Sequence, residues 1–111
     1  YKLIAIDNGK PVVIRRCLGD DPTGLLYIGK ATNYPDRVIG LKKSISPDYS
    51  GSSHICGRRY KGENHENFRK KFHVDLLHVV LVPDENPEKL ERQLLNDYVK
   101  QFGEVPPLNA V

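Results

Sequence analysis

Leu25-Leu26-Tyr27-Ile28-Gly29-Lys30-Ala31-Thr32-Asn33-Tyr34-Pro35-Asp36-Arg37 is the stretch on which the fold turns. Its first five residues read as a strand apolar enough to be central in a sheet. Asn33 followed by Pro35 is a helix start, because the amide side chain accepts from first-turn N–H groups and proline fits that turn. The spacing predicts a helix running to about Ile45, with Val38, Leu41 and Ile45 on one side. Arg37 lies close to that side, in the first turn, where a cation opposes the helix dipole. An arginine there suits a phosphate, and it equally suits a carboxylate partner or open solvent. Tyr27 and Gly29 share a face of the strand. The glycine leaves space beside the phenol, whose hydroxyl can position a water or a phosphate oxygen; a packing tyrosine fits the same pattern.

Upstream, Lys2–Ile6 reads as a strand, and Asp7-Asn8-Gly9-Lys10 is a hairpin turn leading to a second strand at Val12-Val13-Ile14. Cys17–Gly24 reads as a loop by its Gly, Asp and Pro content. Downstream, Ser46–Ser53 reads as a loop, His54–Tyr60 as a short helix, and Glu63–Phe72 as another with Phe68 and Phe72 one turn apart. Val74–Val82 is rich in β-formers and is expected to be a buried strand. The order is β-β-β-α-α-α-β-α. The fold class expected is α/β (α+β), with a small three- to four-stranded mixed or antiparallel sheet flanked by helices in one domain, 1–111.

Asn86-Pro87 opens the best helix of the chain, which ends before Gly103. Leu90, Leu94, Leu95, Tyr98 and Phe102 fill one arc of about 140°. Glu91 falls inside it. A carboxylate on a buried face costs several kcal/mol unless it is paired, protonated or bound to a metal. An edge position with the head group in water is the alternative.

The whole sequence carries 17 Lys/Arg and 14 Asp/Glu, a net +3. From Arg37 to Lys71 there are nine cations and three anions, a local +6, whereas Asp84–Glu104 has three and six, a local −3. A basic half beside an acidic half is compatible with a polyanion on one face, and also with a plain solvated surface. The longest strongly apolar run, Val74–Val82, is too short and too polar to span a bilayer, so no membrane partner is expected. Two cysteines, Cys17 and Cys56, are too few for a disulfide framework and read as reduced thiols, which suits the cytoplasm. His54, Cys56 and His65 match no closed zinc set, and His73 and His78 read as structural. The chain starts at Tyr1 and has no Met, so a domain excised from a longer chain is expected.

Taken together, Tyr27-Ile28-Gly29-Lys30-Ala31, Arg37 ten residues after Tyr27, His54 after a Gly-Ser-Ser loop, Glu91 in a late helix and Pro106-Pro107-Leu108-Asn109 resemble the GIY-YIG nuclease family in order and spacing. The resemblance covers about residues 11 to 109. It implies a DNA endonuclease with a single divalent ion, Mg²⁺ or Mn²⁺, held by Glu91 and by substrate oxygens. It implies that Tyr27 orients the attacking water and assists its deprotonation, and that Arg37 stabilises charge on phosphorus. His54 would shuttle a proton or contact the phosphate, and Asn109 would fix the site's geometry. Lys30, Lys42, Lys43, Arg58 and Arg59 are candidate DNA-backbone contacts, and further DNA-binding domains outside this stretch would supply specificity. The family's first signature strand, Gly-Ile-Tyr, corresponds on this alignment to Pro11-Val12-Val13, which puts Val13 where a tyrosine stands. That departure supports a second reading, a non-catalytic nucleic-acid-binding or protein-interaction module on the same fold. The substrate and the oligomeric state are not legible in the sequence.

Overall fold

The computed structural model describes residues 1–31, 33–46 and 55–109. In chain order the elements are β1 (Lys2–Asp7), β2 (Lys10–Pro11), β3 (Ile14–Arg16), β4 (Gly19–Asp21), β5 (Leu25–Ile28), α1 (Tyr34–Ile45), α2 (Ile55–Tyr60), α3 (Glu66–Lys71), β6 (Leu77–Val80) and α4 (Pro87–Phe102). Short 3₁₀ turns at Glu63–His65 and Val74–Leu76 join the later elements. The result is an α+β fold around a small antiparallel sheet.

β2, β5 and β6 all pair with β1, while β3 and β4 pair with each other. The Ala5 N–H donates to Gly24 O and the Ala5 carbonyl accepts from Val12 N, both at 2.9 Å. An extended residue points both groups the same way, so β2 and β5 share one edge of β1 and β6 takes the other. Leu3 faces Tyr27 and Lys2 faces Ile28, and Tyr1 carries the ladder one step further by exchanging hydrogen bonds with Gly29. Alternation then sorts the side chains. Tyr1, Leu3, Ala5 and Tyr27 face a core that includes Leu41 and Ile45 of α1 and Cys56 and Tyr60 of α2. Ile4, Leu25 and Ile28 face Leu94, Leu95, Tyr98 and Phe102 of α4. The central position therefore belongs to β1, and β5 borders the chain's closing segment instead of another strand: Leu108 N donates to Leu26 O at 2.8 Å.

Both long helices begin and end where the sequence predicts. Asn33 Oδ1 accepts from Asp36 N and Asn86 Oδ1 from Lys89 N, and each helix has proline at its start. Gly103, at φ +80°, closes α4 in the left-handed conformation with its N–H on Val99 O.

Three expectations are corrected. The expected Cys17–Gly24 loop contains β4, the second strand of a hairpin with β3, whose tip rests on the end of α4 through Leu18 N to Phe102 O at 3.0 Å. Its polar Asp21 is fully buried, accepting from the Tyr98 hydroxyl and from Thr23, so polarity marked a tethered strand instead of a solvated turn. The segment Val74–Val82 is no buried strand: it opens with a 3₁₀ turn, and β6 is an edge strand alternating half-buried and exposed residues. The helix expected over Glu63–Phe72 is a 3₁₀ turn followed by α3, although Phe68 and Phe72 do stack, with ring centroids 4.8 Å apart.

Candidate functional site

The Tyr27 end of β5 comes together with the start of β1. The rings of Tyr1 and Tyr27 lie 6.0 Å apart and tilted by 40°. Gly29 makes this possible: any Cβ there would collide with the Tyr1 ring. The space the glycine leaves is thus taken by a second phenol. This corrects the alignment drawn from sequence. The Asn8-Gly9 turn pairs Lys10–Pro11 with Ile6–Asp7, at the far end of β1. Val13 follows that pair, is 52% exposed, and stands nowhere beside Tyr27; Tyr1 does.

Arg37 leaves the N-terminal turn of α1 on the side of the fully buried Leu41, and its guanidinium lies close enough to the Tyr1 hydroxyl to oppose the rise that burial imposes on it. Glu91, in the second turn of α4, is half-buried and lines a small cavity with Tyr1, Gly29, Tyr34 and Leu90. Its carboxylate has no ion-pair partner among the described residues. Glu88, one turn earlier, is the residue that pairs with Lys30 and Arg92, at 3.9 and 3.6 Å. Both capped helix starts open on a cleft of about 750 Å³ bordered by Lys30, Asn33, Arg37 and Asn86. Arg37 is common to the cleft and to the tyrosine pair.

Burial holds the Tyr27 hydroxyl above its ordinary value of 10.0, helped by Cys56 and Glu91 and opposed by Arg37 and Arg59. Burial likewise raises Tyr1, with Tyr27 adding to it and Arg37 opposing. The Cys56 thiol is pushed up to about 12 by burial, against Arg59 and Arg37. At neutral pH all three groups therefore keep their protons. The two phenols act as neutral hydrogen-bonding groups rather than as ready-made bases.

Asn109 closes the outer edge of β5. Its Oδ1 accepts from Ile28 N at 2.8 Å and its Nδ2 donates to Ile28 O at 2.9 Å, which fixes the backbone next to Tyr27. Arg59 Nη1 donates to Leu108 O at 2.7 Å, so this residue is tied to the closing segment. Arg58, Lys42 and Lys43 are exposed on α2 and α1, away from the strand. His54 lies outside the described residues.

No group of three or more His, Cys, Asp or Glu side chains is placed to hold a metal among the described residues. Mg²⁺ keeps most of its waters and takes one or two carboxylates plus substrate phosphate; Glu91 is the carboxylate that could serve such an ion. No described helix is long and apolar enough to cross a membrane.

Sequence reasoning found Tyr27, Arg37, Glu91 and Asn109 but missed Tyr1 and Cys56. Tyr1 could have been found from the period-2 series Tyr1, Leu3, Ala5 on one strand face. Cys56 carried no such signal, since its place depends on how α2 packs. The chain matches no protein family, no curated protein and no solved structure.

Proposed function

We propose that this chain is a divalent-metal-dependent endonuclease domain of the GIY-YIG type, hydrolysing DNA phosphodiester bonds at Tyr1, Tyr27, Arg37 and Glu91. The observation that carries this reading is the pair of buried phenols, with the Arg37 guanidinium near one of them and the carboxylate of Glu91 beside them. A protein core gains little from such a set, whereas hydrolysis of a phosphodiester can use each member. Arg37 supplies charge-assisted donors to the non-bridging oxygens and to the charge that grows on them. Tyr27 and Tyr1, both neutral, orient the attacking water by hydrogen bonds; water adds to phosphorus as the bond to the leaving sugar oxygen breaks, the water's proton passing to solvent and the sugar oxygen taking one from solvent. Glu91 would hold Mg²⁺ or Mn²⁺, which supplies Lewis-acid charge to the phosphate. Asn109 acts on the scaffold, through Ile28.

The non-catalytic reading rested on Val13 in place of a tyrosine. The catalytic reading uses Tyr1, which lies beside Tyr27, in that place. The test is nicking of supercoiled plasmid in Mg²⁺ or Mn²⁺. Glu91→Gln and Arg37→Ala should each lower the rate by about 100-fold or more, with unchanged circular dichroism. Cleavage by the Glu91 variant at the wild-type rate overturns the assignment.

A further inference from the structure

Arg59 stands in the sequence as one of several basic residues, and in the fold it does something the others do not. Cys56, three positions earlier on the same face of α2, is fully buried in the cluster that holds Tyr1 and Tyr27. A close approach of two helices sets that face: a Cβ on Gly57 would overlap the Ser44 side chain, so α2 lies directly against α1, the helix that carries Arg37. From there the Arg59 guanidinium reaches Leu108 O, and Leu108 N is bonded to Leu26 O, next to Tyr27. The fork is thus held at the edge of β5, level with the tyrosine pair. A guanidinium has five N–H donors. One is spent on Leu108, and Arg59 has no further bond and no ion pair among the described residues. Arg37 also lacks a carboxylate partner among them. Two cations that have no carboxylate partner among the described residues, by two buried phenols, leave a place for an anion. Arg59 also lies close enough to Tyr27 and Cys56 to work against the rise that burial imposes on both.

We propose that Arg59 is a second phosphate-binding cation of the site, donating with Arg37 to the non-bridging oxygens of the phosphodiester, and not a contact to DNA flanking the cut. This rests on the phosphodiester reading above. The Leu108 carbonyl aims the fork, so the closing segment sets the geometry of phosphate binding as well as the edge of the sheet.

A substrate without flanking DNA separates the alternatives. Wild type, Arg59→Ala and Arg59→Lys are compared on plasmid DNA and on bis(p-nitrophenyl) phosphate, with Mn²⁺. Arg59→Ala should lose about 100-fold in kcat/KM on both substrates, and Arg59→Lys should recover part of it, since lysine restores the charge without the fork. A loss on plasmid with unchanged bis(p-nitrophenyl) phosphate kinetics makes Arg59 a flanking contact and overturns the proposal. So does a loss that disappears at low temperature along with a lowered melting point, which marks a purely structural role. A binding measurement covers the case in which the wild type hydrolyses neither substrate. Thymidylyl-thymidine, added with Ca²⁺, should shift the Nε–Hε resonances of both Arg37 and Arg59, and its uncharged methylphosphonate analogue should shift neither. A shift of Arg37 alone overturns the proposal and leaves the phosphodiester site standing; no shift of either removes both.

Discussion

Gly29 has no room for a side chain, because the Tyr1 ring lies over it. Gly29→Ala therefore has to push that ring aside, away from both Tyr27 and Arg37. The expected cost is about 1–3 kcal/mol of stability, read as a lower denaturant midpoint, together with a fall in kcat larger than the loss of folded protein explains. Tyr1→Phe removes only the hydroxyl. It should leave stability within about 1.5 kcal/mol while lowering plasmid nicking, so the two variants separate packing from chemistry. A Tyr1→Phe protein that nicks at the wild-type rate would leave Tyr1 with a packing role only. At this scale the sequence exposed Tyr27, Arg37 and Glu91 because each breaks a pattern: a phenol next to glycine, a cation in a first helical turn, a carboxylate in an apolar arc. Tyr1 breaks none. It precedes its strand, and only the register that sets Leu3 opposite Tyr27 brings its ring to Gly29.

At the scale of elements, Asp21 ties the β3–β4 hairpin to α4. It is fully buried, accepting from the Tyr98 hydroxyl at 2.8 Å on one oxygen and from Thr23 on the other. Asp21→Ala would strand the Tyr98 hydroxyl in the interior while the exposed Thr23 turns to solvent, and should cost about 1–3 kcal/mol. Because Tyr98 lies two turns along α4 from Glu91, native-state hydrogen exchange should show faster opening of α4 as well as of the hairpin. Opening confined to the hairpin would mean the two elements are not coupled. The helices were legible because their signals are local: an Asn cap, a proline in the first turn, a glycine at the end, and an apolar stripe between. The strands were less so. Whether Leu77–Val80 is buried depends on its being the outer strand of the sheet, which no window of its own residues contains. The hairpin was hidden for the opposite reason, since Asp20 and Asp21 look like a solvated turn until Tyr98 is placed above one of them.

For the whole molecule, the raised groups add up in one direction. Tyr1, Tyr27, Tyr60, Tyr98 and Cys56 all hold their protons more tightly in the fold than in the open chain, with burial the largest cause in each. A folded value above the unfolded one means that the unfolded chain loses its protons first as pH rises. Stability should be insensitive to these groups below pH 9.0, the ordinary value of the thiol, and should fall steadily through 10.0, that of the phenols. Thermal midpoints measured from pH 7 to 11 test this; a flat profile above pH 10 would contradict the burial of the phenols. Glu104 works at the acid end. Its carboxylate is held below 4.5, chiefly by the Cys17 thiol and backbone, with Arg16 adding to it; what it contributes is present above that value and fades as pH falls below it.

Asn109 grips Ile28 from 81 positions away in the chain, and Glu91 arrives on the helix just before it. During synthesis, Tyr1, Tyr27 and Arg37 leave the ribosome long before either. A nascent chain that has yet to reach residue 91 holds the strand and the first helix but neither the carboxylate nor the clamp. The order of synthesis thus leaves the candidate site to be completed by residues that emerge after its strand and first helix, so its assembly waits on the late part of the chain.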